Sequence, residues 1–475
     1  MTIADVGLVG LGVMGANLAL NMAEKGHRVA VYNRTAARLH EFVGSAGALG
    51  ERIVPTASLE ELVKTLRPPR PLILMIKAGA AVDEQAAALA PHLAAGDILI
   101  DTGNANFRDT QRRCRDWASR QVAFLGVGVS GGEEGARHGP SIMGGGAEDA
   151  WSRVSPIFEG IAAQAKGRPC CARVGPDGSG HFVKTIHNGI EYADMQMIAE
   201  AYGLMRDGLK LSADRMATVF AAWNEGPLQS YLIEITARVL EARDTATGGP
   251  LIDVIVDKAG QKGTGRWAVI EAQDLGTPAT VIEAAVAARS WAADKEARVA
   301  GEKLFGRAKG LQRRDTGTES EFLGNLEAAL LAGRIIAYAQ GFTVMQAASA
   351  QWQWSLPLGT IAEIWRAGCI IRSAFLDDIA AVYERGEGTD SLMRAPYFAN
   401  LLKTSESALR TVVAAGVQSG LAVPAFSAAL AAYDYLKTAR STADLIQGQR
   451  DFFGAHGFER HDRPGEVMHG PWSTS

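Results

Sequence analysis

The sequence predicts an α/β domain with a parallel, doubly wound sheet, followed by a large all-α domain and a C-terminal tail. Short apolar runs alternate with helical patterns through the first third of the 475 residues, and such alternation is typical of parallel sheets covered by helices. Beyond about His181, long helical patterns dominate. A segment rich in glycine with one proline, Arg173–Gly180, separates the two patterns. We therefore expect domains at residues 1–178, 179–440 and 441–475.

The individual strands and helices are predicted from the periodicity of apolar residues. Buried strands are expected at Val6–Val9, Val29–Tyr32, Leu72–Ile76, Ile98–Ile100 and Val122–Val127, with intervening helices at Ala16–Lys25 and Asp83–His92. In the second domain, helices are expected at His181–Leu209, Ala213–Asn224, Leu228–Leu240, Thr280–Lys303, Glu321–Ala348 and Ala425–Thr438. The helical periodicity is lost after about Ser441, which predicts the tail.

The composition argues against several classes of protein. The net charge is −4, from 48 basic and 52 acidic residues, so no overall basic field favours nucleic acid or an anionic membrane as a partner. No run approaches the roughly 18 uninterrupted apolar residues of a membrane span, and the N-terminus lacks the pattern of a secretory signal. The 4 cysteines have neither metal-ligand nor disulfide-framework spacing. We expect a cytoplasmic protein with free thiols.

A glycine-rich turn follows the first predicted strand. It reads Gly10-Leu11-Gly12-Val13-Met14-Gly15, which is the spacing G-x-G-x-x-G. Gly10 allows the tight turn, Gly12 lets the backbone approach a pyrophosphate, and Gly15 permits close packing of the helix on the strand. A chain with 53 glycines can match this spacing by chance, but the position between the first strand and the first helix favours dinucleotide binding over a purely structural turn.

The end of the second predicted strand selects between NAD and NADP. An acidic residue at this point takes the ribose hydroxyl in NAD enzymes, but here the strand leads into Asn33, Arg34 and Thr35. Arg34 can pair with a 2′-phosphate and stack on adenine, and Arg38 follows one helical turn later. The alternative is that both arginines are solvated charges at a helix start. Because the acidic residue is missing as well as the basic one present, we predict a Rossmann-like NADP-binding domain.

The segment from His181 to Tyr192 contains several groups that can do acid–base chemistry. If the segment is helical, one face carries Lys184, His187, Asn188 and Glu191. Their spacing of i, i+3, i+4 and i+7 places them within two turns. Such a stripe is either an active site or a solvated surface with a Lys–Glu pair, and the pattern alone leaves both open.

Three turns offer groups that can bind anions. Asp101–Asn104 and Gly126–Gly132 each follow a predicted strand, at the end where the strands of an open sheet face the ligand crevice. The second turn ends in Ser-Gly-Gly, whose backbone N–H groups and hydroxyl suit a carboxylate. Gly260–Trp267 combines glycines with a lysine and a threonine and resembles a phosphate cradle, although its spacing is not that of a Walker motif. Each turn alone is weak evidence of a site.

Together these segments resemble the 6-phosphogluconate dehydrogenase family over essentially the whole chain. The matching motifs are GLGVMGANLALNM, YNRT, the turn Lys77-Ala78-Gly79, DTGN, GVSGGEEGARHGPSIMGGG, HFVKTIHNGIEYADMQ, AGQKGTGRW, IAYAQGF, IAEIWRAGCIIRSAFL and QRDFFGAHGFER. The resemblance implies oxidative decarboxylation of 6-phosphogluconate to ribulose 5-phosphate and CO2, with NADP as the cofactor. It also implies a homodimer of the family's long form, in which the two subunits share their sites.

The resemblance further implies roles for individual residues. The carboxylate and hydroxyls of the substrate would be held by Asn104, Ser130, Gly131, Gly132, His187 and Asn188, and its phosphate by Tyr192, Lys262, Thr264 and Arg289. Arg450 and His456 would complete the phosphate site from the second subunit. The cofactor would contact Gly10, Leu11, Gly12, Val13, Met14, Gly15, Asn33, Arg34, Thr35, Lys77, Ala78, Gly79 and Asn104.

This chemistry needs a base and an acid. Lys184 would accept the hydroxyl proton as a neutral amine and then, as an ammonium, stabilise the developing enolate, provided that burial or nearby positive charge lowers its pKa. Glu191, with a raised pKa, would protonate the enediol on carbon. No metal is expected, because Lys184 supplies the electrophile and the sequence has no evident cluster of carboxylates for a divalent ion.

Two other functions fit part of the sequence. A β-hydroxyacid dehydrogenase acting on a shorter acid, such as 3-hydroxyisobutyrate, would share the glycine-rich start and a lysine with a following asparagine. It would not explain the long helical half or the basic residues assigned to the phosphate. A catalytically inactive NADP-binding module could lose Lys184 or Glu191, yet both are present. Release of CO2 distinguishes the first alternative, and turnover distinguishes the second.

Overall fold

The computed structural model describes residues 3–261, 263–311, 317–388 and 390–472. The chain divides into two compact units, Met1–Ala429 and Leu430–Ser475. The first unit contains both the predicted α/β part and most of the predicted helical part. The second unit contains the end of the last predicted helix and the predicted tail.

A sheet of eight strands forms the centre of the α/β part, in the spatial order β10-β7-β6-β5-β4-β1-β2-β3. The strands are β1 (Val6–Val9), β2 (Val29–Tyr32), β3 (Ile53–Pro55), β4 (Pro71–Leu74), β5 (Ile98–Asp101), β6 (Ala123–Ser130), β7 (Ser141–Gly145) and β10 (Cys171–Gly175), while β8 (Gln164–Ala165) and β9 (Arg168–Pro169) form a separate pair. Strands β1 to β6 are parallel, as predicted.

The sheet has two further strands at one edge, β7 and β10, that the sequence analysis did not predict, and one pairing there is antiparallel. Strand β7 runs antiparallel to β6, and β10 runs parallel to β7. A parallel return needs a crossover of about a dozen or more residues, whereas β6 and β7 are joined by a shorter connection that contains the helix α6 (Gly132–His138). The short connection therefore reverses the chain direction directly after the Ser-Gly-Gly turn.

Helices cover both faces of the sheet, which confirms the doubly wound class. Helices α1 (Val13–Glu24), α2 (Ala36–Ser45) and α7 (Glu148–Ile161) pack into the apolar core on one face. Helices α3 (Leu59–Thr65), α4 (Ala80–Leu89) and α5 (Phe107–Ala118) pack into the core on the other. Because the central strands are buried on both faces, they read in the sequence as continuous apolar runs.

The rest of the first unit is helical, as the sequence predicts. The helices are α8 (Ser179–Gly203), α9 (Ala213–Trp223), α10 (Tyr231–Glu241), α11 (Thr264–Asp274), α12 (Thr280–Ala293), α13 (Lys295–Phe305), α14 (Glu319–Trp352), α15 (Leu358–Ile364), α16 (Phe375–Glu384), α17 (Pro396–Ser419) and α18 (Pro424–Leu436), the last of which runs into the second unit. The stretch predicted as one helix from Thr280 is two helices, because the Asp294 side chain accepts a hydrogen bond from the backbone of Ala297 and caps α13.

The long helix α14 lies in the core of the helical part. By length and composition it could cross a membrane, but 83% of its most apolar window is buried inside the protein, as in the core helix of a globular fold. Its Arg334 lies 3.1 Å from the carboxylate of Asp194 on α8, and both side chains are buried. Burial raises the pKa of Asp194, and Arg334 opposes that shift. The two helices are thus joined by a buried charged pair.

The second unit contains a helix and a hairpin in the stretch where the sequence loses its helical periodicity. It contains α19 (Ala443–Gly454) and an antiparallel hairpin formed by β11 (Phe458–Arg460) and β12 (Arg463–Met468). Asp451 is the only buried residue of α19, so this helix lacks the buried apolar stripe that helical periodicity in a sequence reflects.

The buried carboxylate of Asp451 holds the second unit together. It accepts hydrogen bonds from the backbone of Gly470 (2.8 Å) and Gly457 (2.9 Å) and from the indole of Trp472 (3.0 Å), and it lies 2.7 Å from Nδ1 of His469. These partners, the Gly470 N–H first, lower the pKa of Asp451 to about 2. One ionised side chain thus joins the end of α19 to the hairpin and the segment that follows it.

Candidate active site

Helix α8 approaches the sheet closely along strand β6. A Cβ added at Gly128 would lie 2.5 Å from Cβ of Lys184, so only glycine fits at this contact. The segment predicted to carry acid–base groups is helical, as expected. Lys184 is only 6% exposed and His187 is fully buried. The alternative of a solvated surface stripe is therefore wrong.

A chain of polar contacts connects the predicted groups on α8 to two other elements. The Lys184 amine donates to Oγ of Ser130, at 3.0 Å, and that Oγ lies 3.4 Å from Nε2 of His187. Nδ1 of His187 lies 3.1 Å from Oδ1 of Asn188, whose Nδ2 donates to Oγ1 of Thr264 at 3.0 Å. The end of β6, two turns of α8 and the start of α11 meet at these atoms.

Burial sets the protonation of the groups on α8. It lowers the pKa of Lys184, an effect that the charge of Glu191 opposes. It raises the pKa of Glu191, against the influence of Lys184 and Arg289. It also holds the pKa of His187 well below its usual value. Burial therefore shifts Lys184 towards the neutral amine and Glu191 towards the protonated carboxyl, and it keeps the His187 imidazole neutral.

The residues assigned to the substrate phosphate lie together in the described part of the chain. The guanidinium of Arg289 lies 4.6 Å from the ring centre of Tyr192, and the same Arg289 donates to the carbonyl of Gly260 at 3.3 Å. Gly265, next to Thr264, packs so closely on Tyr192 that an added Cβ would lie 2.6 Å from the ring. Lys262 was also assigned to the phosphate, but it lies outside the described residues.

Three residues at this site carried no role in the sequence analysis. The indole of Trp365 packs edge-on against His187, with ring centres 5.3 Å apart. The Cys369 thiol is buried, and its proximity to Lys184 influences the pKa of both groups. The carbonyl of Gly368 would lie 2.5 Å from a Cβ at Gly131, whose φ is +112°. Their segment, IAEIWRAGCIIRSAFL, matched the family as a motif, and only the tertiary fold brings it to the Ser-Gly-Gly turn.

The glycine-rich turn has the shape that a dinucleotide needs. Gly10 has a φ of +101°, and its neighbour Leu11 donates through its backbone N–H to Oδ1 of Asn33 at 3.0 Å. A Cβ added at Gly12 would meet nothing within 4 Å, so open space lies beside the first turn of α1. The N-terminal N–H groups of that helix suit a pyrophosphate, and the residues present therefore fit a bound dinucleotide.

The remaining cofactor candidates lie at the carboxyl ends of neighbouring strands. Arg34 and Arg38 are exposed, and neither forms an ion pair with any residue in the described ranges. Gly79 has a φ of +91° and is the N-cap of α4, two residues after the exposed Lys77. Asn104 is exposed at the turn after β5. These residues lie at the edge where open sheets form a ligand-binding crevice, beyond the carboxyl ends of the strands.

Two candidates fall in the second unit. Arg450 is exposed and donates to Oε1 of Gln447 at 2.9 Å. His456 is exposed, with its ring centre 6.0 Å from that of Phe453. Their assignment to a phosphate site of a partner subunit stays a prediction.

The fold and this arrangement define a class: a dinucleotide-dependent dehydrogenase with a buried acid–base helix. Within the described residues, no group of three or more His, Cys, Asp and Glu side chains could hold a metal ion. A model of the NAD binding domain of 6-phosphogluconate dehydrogenase matches residues 5–175. A model of the C-terminal domain of 6-phosphogluconate dehydrogenase matches residues 180–472. The chain belongs to the 6-phosphogluconate dehydrogenase family.

Full-length relatives support the family. The chain is 48% identical to 6-phosphogluconate dehydrogenase, NADP(+)-dependent, decarboxylating, of Bacillus subtilis, over 99% of this chain and 100% of that protein. It is 46% identical to the human 6-phosphogluconate dehydrogenase, decarboxylating, over 100% of this chain and 97% of the human protein. The Plasmodium falciparum 6-phosphogluconate dehydrogenase structure has a TM-score of 0.95 at 41% identity and covers 98% of this chain and 100% of its own.

Proposed function

We propose that this protein oxidises and decarboxylates 6-phosphogluconate to ribulose 5-phosphate and CO2, with reduction of NADP to NADPH. The observation that supports the proposal most is the buried amine of Lys184, hydrogen-bonded to Ser130 beside a buried carboxyl-bearing face of α8. Relatives along the full length, named as decarboxylating dehydrogenases, favour this reaction over a shorter-acid dehydrogenase or an inactive module.

Lys184 acts first. With its pKa lowered by burial, the neutral amine accepts the proton of the substrate's C3 hydroxyl. Bound NADP would supply the acceptor for the hydride that leaves C3. The product is a 3-keto acid. The ammonium of Lys184 then donates a hydrogen bond to the keto oxygen, which stabilises the negative charge that develops there as CO2 leaves.

Glu191 completes the reaction. Because burial raises its pKa, it can hold a proton near neutral pH and deliver that proton to the carbon of the enediol that loss of CO2 leaves behind. His187 stays neutral, since burial lowers its pKa, and serves as a hydrogen-bonding partner of Ser130 rather than as a charge.

The substrate is held at both ends. Its carboxylate and hydroxyls contact Asn104, Ser130, Gly131, Gly132, His187 and Asn188, and its phosphate contacts Tyr192, Lys262, Thr264 and Arg289. Arg289 on Tyr192 offers the bidentate donors that a phosphate prefers. This assignment requires α8, α11 and α12 to present one continuous anion-binding surface, which agrees with the contact between Asn188 and Thr264.

The cofactor binds along the carboxyl edge of the sheet. Its pyrophosphate lies against residues 10–15, its 2′-phosphate pairs with Arg34 between Asn33 and Thr35, and the Lys77-Ala78-Gly79 turn and Asn104 lie alongside it. The open space at Gly12 and the exposed, unpaired guanidinium of Arg34 among the described residues support this placement.

The proposal extends to assembly, domains and location. Residues 1–178 bind the cofactor, residues 179–440 the substrate, and residues 441–475 reach the site of a second subunit in a homodimer. The exposed Arg450 and the exposed aromatic rings of Phe452 and Phe453 support such a contact. The protein works in the cytoplasm with its four cysteines as free thiols, and it has no nucleic-acid or membrane partner.

The proposed activity is tested with the purified protein and a panel of substrates and cofactors. Formation of reduced nicotinamide should be fast with 6-phosphogluconate and NADP, slower with NAD, and absent with 3-hydroxyisobutyrate. Turnover of 3-hydroxyisobutyrate in preference to 6-phosphogluconate, or binding of NADPH without any turnover, would refute the proposal.

The shared site has its own test, by mixing two inactive proteins. One carries Lys184→Ala and the other Arg450→Ala. After subunit exchange, a mixed dimer with shared sites has one site with both defects and one with neither, so activity should return, at about half a site per chain in each mixed dimer. No recovery despite proven exchange would mean that Arg450 serves its own chain's site.

A further inference from the structure

Two of the turns assigned to the cofactor are joined beneath the surface by one side chain. Arg113, on α5, is only 1% exposed. Its Nη2 donates to the carbonyl of Gly79, at 2.9 Å, in the first of these turns. Its Nη1 lies 3.5 Å from Oδ2 of Asp101, at the start of the second. One guanidinium therefore contacts the segment after β4 and the segment after β5.

Asp101, which Arg113 approaches, also contacts the backbone of its own turn. Oδ1 of Asp101 accepts a hydrogen bond from the N–H of Gly103 at 3.0 Å, directly before Asn104. The second turn also lies close to the residue before the first, because a Cβ added at Gly103 would lie 3.1 Å from the carbonyl of Ile76. The two turns are thus neighbours, and the buried guanidinium of Arg113 contacts both.

Arg113 is itself fixed in place. Its Nε and Nη2 donate to the two carboxylate oxygens of Asp83, at 2.9 and 2.8 Å, and Asp83 lies in the first turn of α4, which Gly79 caps. The fork of an arginine can make this bidentate pair and still reach a carbonyl, whereas the single ammonium of a lysine cannot make all of these contacts. The hydrogen bonds from Arg113 lower the pKa of Asp83.

We propose that Arg113 is a positioning residue for the cofactor: it holds the Lys77–Gly79 turn and the Asp101–Asn104 turn at the separation that NADP requires. The inference rests on the proposed function, since that function places the cofactor against both turns. Arg113 is buried and does not contact the cofactor. It acts through Gly79, Asp101 and Gly103, and its loss should weaken NADP more than 6-phosphogluconate, because both turns border the cofactor and only Asn104 is shared with the substrate.

The neighbouring residue provides a matched control. Arg112 also binds both carboxylate oxygens of Asp83, at 3.0 and 2.9 Å, but its side chain is 45% exposed and it contacts neither turn among the described residues. Arg112→Met removes the same kind of ion pair from the same helix. A purely structural role for the arginines of α5 would give similar results at the two positions.

The test measures binding of NADPH by its fluorescence, in the full-length protein and in Arg113→Met, Arg113→Lys and Arg112→Met. The Kd for NADPH should rise about tenfold or more in Arg113→Met and less in Arg113→Lys, and stay within about twofold in Arg112→Met. The KM for 6-phosphogluconate should rise less than the Kd for NADPH. Thermal unfolding of each variant shows which are folded.

Other results of this experiment would overturn the proposal for Arg113 or the proposed function. Unchanged NADPH binding in a folded Arg113→Met, or an equal loss of affinity for NADPH and for 6-phosphogluconate, would overturn the proposal. If Arg113→Met does not fold, Arg113→Lys decides, and wild-type affinity there would overturn it as well. If the wild-type protein binds no NADPH, the proposed function fails first, so the two failures can be told apart.

Discussion

Two regions of the molecule differ in how they are built. One is the cofactor edge, where the turns after the strands carry the residues assigned to NADP, and the other is the face of α8 that carries Lys184 and Glu191. At the cofactor edge the shape comes from the backbone: glycines at positive φ, a helix start, and exposed side chains such as Arg34. On α8 the chemistry comes from buried side chains, whose pKa values burial shifts in opposite directions for Lys184 and Glu191. The first region therefore selects a ligand by shape and charge, whereas the second excludes water and so changes the reactivity of its own side chains.

The largest loss of activity is expected when the buried amine of Lys184 is removed. Lys184→Met removes the base and leaves an apolar side chain of similar length, so turnover should fall by about 10²- to 10⁴-fold. NADPH binding, measured by fluorescence, should stay near the wild-type value, because the cofactor edge is untouched. Substantial turnover in this variant without an added amine would show that another group is the base.

At the cofactor edge, the expected effect is smaller and selective. Arg34→Ala should lower kcat/KM for NADP by about 10- to 100-fold, since one charge-assisted phosphate contact is lost, and should change that for NAD by no more than a few-fold. Arg28 lies exposed just before β2, whereas Arg34 lies just beyond its other end, so Arg28→Ala is the matched control and should affect neither cofactor. An equal loss for NADP and NAD in Arg34→Ala would place the 2′-phosphate elsewhere.

Two glycines sharpen the contrast between the regions. An alanine at Gly128 would force its Cβ against Lys184, so Gly128→Ala should cost about 1–3 kcal/mol of unfolding free energy and lower kcat. An alanine at Gly12 meets open space, so Gly12→Ala should change stability by less than about 1 kcal/mol while raising the KM for NADP. Chemical denaturation and steady-state kinetics measure both, and the reverse pattern would contradict the assignment of the two surfaces.

The smallest expected effect is a shift in pH dependence. Lys184 must be neutral to act, so kcat/KM should rise with pH through its pKa. Where Glu191 is ionised, its charge raises the pKa of Lys184. Glu191→Gln removes that charge, so the acid limb of the profile should move to lower pH in the range above the pKa of Glu191. The variant should also protonate the enediol more slowly. A shift to higher pH would mean that the limb belongs to a different group.

Features that depend only on neighbouring residues in the chain were predicted from the sequence. Glycine spacing identified the turn at Gly10, and helical spacing placed Lys184 and Glu191 on one face, because both depend on neighbouring residues only. Three features could not be predicted from the sequence. The antiparallel β7 depends on a connection length, the approach of Trp365 and Cys369 depends on packing between distant segments, and the folded second unit depends on the single buried Asp451. The contacts of Arg113 with two turns likewise join residues far apart in the chain.

The central claim is that oxidation at the cofactor edge and decarboxylation at α8 are parts of one reaction. It is tested most directly with 6-phosphogluconate carrying ¹³C at its carboxyl carbon, by measuring labelled CO2 and NADPH in the same sample. We expect one molecule of ¹³CO2 for each NADPH in the wild-type protein, and about 10²- to 10⁴-fold slower formation of both products in Lys184→Met. NADPH without labelled CO2 would contradict the account, because the enzyme would then oxidise its substrate without decarboxylating it.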